Sequence, residues 1–221
     1  RWVCSEVERL FVRGGRTLEL NKVNVFGLGQ VYAQMLPLLE KAAVVVEKEY
    51  DDTLADKLFV PAEFRKINNK YSLFCVGYKD MNARWKRYCQ LKEAGVDFIS
   101  FVADNAIVSQ YANIRDGVII NQGAIIDNYV DIGECVFINI GTMISHHTNI
   151  KDNVFIAPGA NIAGYVTIES GAFVGINSTI IDHICVGQGS LIAAGAVVTR
   201  DVPPKVMVAG NPARIIKEMV K

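Results

Sequence analysis

Valine or isoleucine occupies every sixth position in the second half of this 221-residue chain, without interruption from Val102 to Val198. An α-helix would scatter positions six apart around its axis, whereas a β-strand keeps positions separated by an even number on one face. β-Branched residues also favour strands. The repeat therefore predicts a parallel β-helix in which three hexads build each triangular coil and the valine and isoleucine side chains stack inside it.

Charge, apolar runs and cysteine spacing restrict the class of protein. The 23 basic and 23 acidic residues balance, which argues against the basic excess of nucleic-acid-binding proteins. No apolar run approaches the ~20 residues of a membrane span, and no signal peptide is visible. The five cysteines form no CxxC pair, which argues against a disulfide framework or a cysteine zinc site. We expect a soluble cytoplasmic protein with reduced thiols that neither binds nucleic acid nor inserts into a membrane.

The first half of the chain alternates strand-like and helix-like segments. An apolar β-branched run opens residues 23–41 and leads through a Gly-x-Gly turn into a helical pattern. Residues 44–52 and 72–78 are predicted strands, and residues 79–95 are a predicted helix that ends at Gly95. This alternation predicts a small parallel sheet whose ligands bind beyond the carboxyl ends of its strands.

Two short segments lie where such a ligand would bind. Gly27 and Gly29 would let a phosphate approach the backbone at the start of the next helix, although Tyr32 replaces the third glycine of the dinucleotide fingerprint. A tight strand-to-helix turn explains the two glycines equally well. Asp51 and Asp52 are candidates to accept hydrogen bonds from a nucleotide base or ribose, with a solvated loop as the alternative.

The order of these features resembles one group of enzymes. The hexad repeat and the GNPAR segment at residues 210–214 are similar to the hexapeptide-repeat acyltransferase superfamily over roughly residues 102–215. The preceding Gly-x-Gly turn and paired aspartate resemble bacterial nucleotide-sugar N-acetyltransferases and sialic acid O-acetyltransferases. The segment VGYKDMNARWKRY at residues 76–88 looks like a sugar acetyltransferase branch of that group. The resemblance implies a left-handed β-helix, a homotrimer with active sites between subunits, and acetyl-CoA as co-substrate.

We accordingly predict a mainly β fold, a left-handed parallel β-helix with a small N-terminal α/β Rossmann-like domain. Residues 1–22 form an N-terminal extension of unassigned role, and residues 23–98 form the α/β domain that binds a nucleotide-linked sugar. Residues 99–202 form the β-helix. Residues 203–221 form a loop and a short helix that caps the open end of the coil.

Two adjacent histidines in the segment GTMISHH are the candidate catalytic groups. By resemblance, His146 stands at the place of the general base and Asn139 at that of a polar residue beside the acceptor amine. Imidazole has an unperturbed pKa near ~6.5 and can take the proton that the attacking amine loses. These enzymes often place Glu or Asp after the base to orient it, but this chain has His147. Either another carboxylate orients His146, or the base is weaker, or His147 is itself the base.

A metal site is an alternative for these histidines. His147 and His183 are two predicted coils apart, which separates them by about 9–10 Å within one chain. That separation is too large for one zinc ion with bonds of about 2.0–2.1 Å. Hexapeptide carbonic anhydrases combine histidines across subunits, but they carry a further histidine where this chain has Gln188. We therefore expect no metal, and a hydrated corner without function is the remaining alternative.

The resemblance also implies two substrate-binding sites. The acetyl-CoA candidates, which would supply backbone contacts and positive charge for the phosphates, are Gly164, Ala194, Thr199, Arg200, Lys205 and Arg214. A backbone N–H near Gly164 is the candidate donor to the thioester oxygen. The sugar-nucleotide candidates are Gly27, Gly29, Gln30, Asp51, Asp52, Gly77, Asn82 and Arg84.

The expected activity is acetyl-CoA-dependent N-acetylation of an amino group on a nucleotide-linked sugar, in bacterial surface polysaccharide or glycan biosynthesis. No cysteine or serine has a context that demands a covalent intermediate, so direct transfer is expected. O-Acetylation of a sugar hydroxyl is one alternative, because the same base serves either acceptor. A non-catalytic trimeric scaffold that binds sugar nucleotides is the other.

Overall fold

The chain combines a small α/β domain with a long parallel β-helix. The computed structural model describes residues 11–13, 16–18, 22–27, 30–41, 45–50 and 71–219. Two short antiparallel strands come first, β1 (Phe11–Arg13) and β2 (Arg16–Leu18). The predicted fold class is confirmed.

Among its described residues, the α/β domain contains one parallel sheet and two helices. Its elements are β3 (Lys22–Phe26), α1 (Gln30–Lys41), β4 (Val45–Tyr50), β5 (Tyr71–Phe74), α2 (Met81–Glu93) and β6 (Asp97–Phe98). The strand order is β4-β3-β5-β6, and every neighbouring pair is parallel. Within the described ranges, neither helix is both long and apolar enough to cross a bilayer.

Three flat faces make up each turn of the β-helix. Face 1 contains β7 (Ser100–Val102), β10 (Ile119–Ile120), β13 (Phe137–Ile138), β16 (Phe155–Ile156), β19 (Phe173–Val174) and β22 (Leu191–Ile192). Face 2 contains β8 (Ile107–Val108), β11 (Ile125–Ile126), β14 (Met143–Ile144), β17 (Asn161–Ile162), β20 (Thr179–Ile180) and β23 (Val197–Val198). Face 3 contains β9 (Asn113–Ile114), β12 (Asp131–Ile132), β15 (Asn149–Ile150), β18 (Thr167–Ile168) and β21 (Cys185–Val186). Strand β1 extends face 1 by pairing antiparallel with β7.

The hexad side chains form the interior of about six turns. Each turn takes 18 residues, because Ile119 pairs with Phe137 and Ile120 with Ile138. All hexad positions from Ile114 to Val198 are buried, and the two before them are half-buried at the start of the coil. Burying one such side chain contributes about 1.5–3 kcal/mol, so the stacked column is the main source of stability. The predicted inward orientation of the repeat is confirmed.

Tight turns join the faces of the β-helix at three corners. The histidine corner joins face 2 to face 3 at residues 110–111, 128–129, 146–147, 164–165 and 182–183. The docking corner joins face 3 to face 1 at residues 116–117, 134–135, 152–153, 170–171 and 188–189. The histidine corner is therefore the edge of the β-helix opposite face 1.

The α/β domain packs on the outside of face 1. Aromatic and aliphatic residues recur there at every eighteenth position, and Phe101, Phe137 and Phe155 are buried. They share one apolar cluster with Val31 and Met35 of α1. The rings of Phe137 and Phe155 stack with centroids 5.2 Å apart. Helix α1 thus covers a face that would otherwise expose a stripe of apolar side chains to water.

Helix α2 packs against the docking corner. Asp80 caps its start by accepting hydrogen bonds from the amides of Asn82 and Ala83. The buried Tyr88 hydroxyl donates to the carbonyl of Asp116 at 3.2 Å. At Gly117, a Cβ would lie 2.7 Å from the Tyr88 ring, and φ is +71°, so glycine is required there for two separate reasons.

The predicted C-terminal capping helix is wrong. The chain instead ends in two strands, β24 (Val206–Ala209) and β25 (Arg214–Glu218). Strand β24 is parallel to β22 on face 1, and β25 is antiparallel to β24. The last coil leaves an open edge of N–H and C=O groups, which a strand can pair and a helix cannot. Val206 and Val208 extend the buried column past the last hexad.

Candidate active site

His146 and His147 lie side by side in the middle of the histidine corner. Both side chains are exposed, and their Nδ1 atoms are 3.2 Å apart. The backbone of His147 is left-handed, with φ of +58°, and its amide donates to the carbonyl of Asn128 one turn earlier at 3.1 Å. The tight corner therefore turns two consecutive imidazoles outward and holds them within hydrogen-bonding distance.

A column of aromatic rings runs along the same corner. Its members, one per turn, are Tyr111, Tyr129, His147, Tyr165 and His183. Consecutive centroids are 5.5, 5.0, 4.9 and 4.9 Å apart, close to the spacing of neighbouring strands. The sequence shows this column as an aromatic residue at every eighteenth position, a signal separate from the hexad repeat. We call these five residues the ring column.

Gly164 lies directly beside the His146 ring, one turn later. A Cβ at this position would lie 2.8 Å from Cε1 and 3.1 Å from Nε2 of His146. The Gly164 carbonyl accepts from the amide of His183 at 3.1 Å, whereas its own N–H makes no hydrogen bond to the described backbone. The absence of a side chain lets the imidazole rest against the backbone, next to an available N–H donor.

We expect Gly164→Ala to lower kcat about tenfold without unfolding the protein. The backbone of Gly164 is not left-handed, so alanine causes no conformational strain. The new methyl group instead displaces the exposed His146 ring, and a misplacement of about 1 Å is costly for catalysis. Turnover and the melting temperature, measured together, test this. A wild-type kcat would show that Gly164 does not set the position of His146.

Asn139 is not next to the histidine pair within one chain. It follows β13 on face 1, and its side chain is 9% exposed. Its Oδ1 accepts from the amide of Ile140 at 2.8 Å and from Nδ2 of Asn121 at 3.5 Å. Face 2 separates it from His146 along the chain, so its predicted role beside the acceptor amine stays a prediction.

The acetyl-CoA candidates fall into two groups. Gly164, Thr199 and Arg200 belong to the histidine corner or its continuation, with Arg200 three turns beyond His146. The other three lie elsewhere in the chain. Ala194 is at the corner between faces 1 and 2, and Arg214 is in β25. Lys205 lies next to the docking corner, because its amide donates to the carbonyl of Gln188. One subunit does not gather all six, and their roles stay predictions.

The glycines of the α/β domain lie at the carboxyl ends of neighbouring strands. Gly27 follows β3 and Gly77 comes shortly after β5. At Gly27 a Cβ would lie 2.8 Å from the amide nitrogen of Val76, and φ is +92°, so the close approach of the two strands itself demands glycine. Gln30 is the first residue of α1. Three further candidates, Gly29, Asp51 and Asp52, lie outside the described residues.

The prediction that Arg84 binds the sugar nucleotide is wrong. Its side chain is 2% exposed, and Nη1 donates to the carbonyl of Cys135 at 2.6 Å and to Oδ1 of Asn153 at 2.7 Å. Arg84 therefore joins α2 to the docking corner. Asn82, two residues earlier, remains exposed near the same strand ends and keeps its candidate role.

The four cysteines that the structure describes do not offer a nucleophile. Burial raises the pKa of Cys75 and of Cys135 to about 12, so both thiols stay protonated. Burial also raises the pKa of Cys89 and of Cys185, with nearby Glu93 and Glu169 acting in the same direction. In the part of the chain that the structure describes, no three metal-binding side chains cluster.

Comparison with known proteins adds to this geometry. No protein-family model matches the chain. Over 28 residues, 13% of its length, the chain is 71% identical to a 2,3,4,5-tetrahydropyridine-2,6-dicarboxylate N-acetyltransferase of Alkaliphilus metalliredigens, and the match spans 12% of that relative.

Solved acetyltransferase structures match the chain over almost its full length. A histidine variant of perosamine N-acetyltransferase from Caulobacter crescentus, in complex with CoA and GDP-perosamine, is 22% identical with a TM-score of 0.78, over 92% of this chain and 100% of that one. PerB from the same organism, with the same two ligands, is 24% identical with a TM-score of 0.81, over 91% and 100%. The acetyltransferase domain of PglB from Neisseria gonorrhoeae, in complex with acetyl coenzyme A, is 21% identical with a TM-score of 0.74, over 90% and 100%.

The chain has the fold of these acetyltransferases. The predicted resemblance to hexapeptide-repeat acyltransferases is thereby confirmed for the fold. The similarity extends over both the α/β domain and the β-helix, since the matches cover about nine tenths of the chain.

Proposed function

We propose that this protein is an acetyl-CoA-dependent N-acetyltransferase that acts on an amino group of a nucleotide-linked sugar, with His146 as the general base. The observation that carries the proposal is the exposed imidazole of His146, which rests against Gly164 beside an available backbone N–H. The shared fold supports it, because PerB was solved with both CoA and a nucleotide-linked amino sugar.

Acetyl transfer to an amine needs a proton acceptor for the amine and a hydrogen-bond donor to the thioester oxygen at the same place. As the amine nitrogen forms its bond to the thioester carbon, the amine proton moves to Nε2 of His146. The carbonyl oxygen gains negative charge, which a hydrogen bond from the N–H of Gly164 would stabilise. The C–S bond then breaks, and the leaving CoA thiolate takes the proton from Nε2 of His146, which restores the base. No covalent enzyme intermediate is needed, which agrees with the protonated buried thiols of Cys75 and Cys135.

We also propose that the protein forms the homotrimer that the resemblance implies, and the position of the α/β domain supports a site shared between two copies. Tyr78, next to Gly77 and shortly after β5, packs its ring against that of Phe155 on face 1, with centroids 4.0 Å apart and planes at 31°. Phe155 belongs to the same turn as His147 but lies on the opposite side of the β-helix. A sugar bound at the end of the sheet would therefore reach the histidines of a neighbouring copy rather than those of its own chain.

Face 2 offers an apolar surface for such a neighbour. Ile107, Ile125 and Met143 recur at every eighteenth position on its outside and are 65%, 39% and 47% exposed. They border the histidine corner. Burying such a stripe between subunits would stabilise the assembly in the usual way.

The proposed reaction predicts CoA release with particular acceptors. We expect thiol release when the enzyme is given acetyl-CoA and at least one GDP- or UDP-linked amino sugar, and no release with the same nucleotides carrying only hydroxyl sugars. Mass spectrometry of the product should show the acetyl group on nitrogen. Release only with hydroxyl sugars would replace this proposal by O-acetylation, and no release with any member of the panel would overturn it.

A further inference from the structure

We infer that His147 is a positioning residue, which accepts a hydrogen bond from Nδ1–H of His146 and so leaves Nε2 of His146 unprotonated as the base. The inference rests on the proposed function and deepens it, because it assigns to a neutral imidazole a task that a carboxylate can also perform. The two Nδ1 atoms are 3.2 Å apart, and a hydrogen bond at this distance requires one ring to donate and the other to accept.

The surroundings of His147 fix its ring from both faces. Its neighbours in the ring column are Tyr129, with centroids 5.0 Å apart and planes at 38°, and Tyr165, at 4.9 Å and 14°. Its amide is also tied to the preceding turn through Asn128. A ring held in this way offers its Nδ1 atom at a constant position, which is what orienting a neighbour requires.

The surroundings of His146 are different and suit the reacting group. Its ring meets Tyr165 edge to face, with centroids 5.3 Å apart and planes at 85°, and rests against Gly164. Gly164 provides the backbone N–H that acyl transfer needs near the base. His146 is therefore the ring whose Nε2 must be bare, and His147 is the ring that must accept.

Carboxylates near the corner have other partners. Asp127, on the preceding turn, accepts from the amide of Asn128 at 2.7 Å, and Asp182, on the turn after Gly164, lies 3.8 Å from Nε2 of His183. Among the described residues, the hydrogen bonds and ion pairs around His146 and His147 include none to an acidic side chain. His147 is thus the hydrogen-bonding partner that the structure gives to Nδ1 of His146.

Two substitutions of His147 test its acceptor atom and its aromatic ring separately. His147→Phe keeps an aromatic ring in the ring column but removes both nitrogens, and Tyr129 and Tyr165 show that aromatic residues take up the same left-handed backbone at this corner. His147→Asn loses the ring but places Oδ1 the same number of bonds from the backbone as Nδ1, and asparagine tolerates a left-handed backbone. The pair therefore tests whether an acceptor is what His146 needs.

We expect His147→Phe to lower kcat about thirtyfold with an unchanged KM for acetyl-CoA, and His147→Asn to stay within about threefold of the wild type. A wild-type kcat for His147→Phe would overturn the inference. An equal loss of kcat in both variants would also overturn the inference. His147→Asn restores the acceptor atom but not Nε2 of the His147 ring, so an equal loss would indicate that His147 is itself the base.

A second measurement does not depend on turnover. In the protein labelled with ¹⁵N-histidine, NMR should show His146 protonated at Nδ1 and bare at Nε2, with that preference lost in His147→Phe and kept in His147→Asn. A His146 that carries its proton on Nε2 in the wild type would overturn the inference even if the enzyme is active. Conversely, the predicted tautomer in a protein that releases no CoA would leave the inference standing and overturn only the proposed function.

Discussion

His146→Ala is expected to lower kcat for CoA release by at least about 100-fold. The side chain is exposed and makes ring contacts to His147 and Tyr165, so its removal costs little burial and the β-helix should remain folded. The KM for acetyl-CoA should change little, because the imidazole acts on the acceptor amine rather than on the pantetheine arm. Release of the CoA thiol, followed with a thiol reagent under saturating substrates, measures the effect.

A matched control is available at the same corner. His183 lies two turns beyond His147, is also exposed and stacks on Tyr165 with centroids 4.9 Å apart. His183→Ala removes an imidazole from the ring column without touching His146, and kcat should stay within about twofold. A near wild-type rate for His146→Ala would exclude it as the base. Equal losses in the two variants would instead show that the packing of the corner limits the rate.

The β-helix could be predicted from the sequence because one physical rule repeats without exception. Every hexad must put a β-branched side chain into the same narrow interior, so the spacing of those residues records the coil directly. The packing of the α/β domain on face 1 was not predicted, although Phe101, Ile119, Phe137 and Phe155 follow one another at intervals of eighteen residues. Eighteen residues are three hexads, or one full turn. This repeat can be recognised only after the outward-facing residues have been assigned to the three faces, because each face has its own set.

The two errors arose where tertiary contacts override local pattern. The C-terminal segment has an apolar pattern that suits a helix, but the unpaired edge of the last coil favours β24 and β25. Arg84 lies in a segment that resembles sugar-binding sequences, yet its place on α2 points it into the docking corner. Sequence spacing gives the side on which a helical residue lies, but not the element that covers it.

The histidine pair was found from the sequence, but its geometry was not. The motif places His146 and His147 together, whereas the 3.2 Å contact between the Nδ1 atoms depends on the left-handed backbone of the corner and on the neighbouring turns. The resemblance indicates Gly164 for its backbone N–H. The structure adds a steric reason, because a side chain at Gly164 would occupy the space of the imidazole.

Arg84→Ala is expected to destabilise the protein by about 3–5 kcal/mol, the largest stability effect that we predict for an α2 residue. The guanidinium is buried and donates to three acceptors: the carbonyl of Val76, the carbonyl of Cys135 and Oδ1 of Asn153. Each buried acceptor that loses its partner costs about 1–3 kcal/mol, and the cavity adds to that cost. Denaturant unfolding gives the change in the free energy of unfolding.

Arg84→Ala should also weaken the packing of α2 against the docking corner of the β-helix. Hydrogen exchange of the α2 amides should accelerate, while that of face 2 in the middle of the β-helix should not, since Arg84 does not contact the buried hexad side chains.

Lys86→Ala is the control on the exposed side of the same helix, and its free energy of unfolding should change by less than about 0.5 kcal/mol. Arg84→Lys should fall between the two, because an ammonium reaches fewer of the three acceptors than the planar guanidinium does. Equal stability of Arg84→Ala and Lys86→Ala would show that the buried side chain of Tyr88, rather than Arg84, holds α2 against the docking corner.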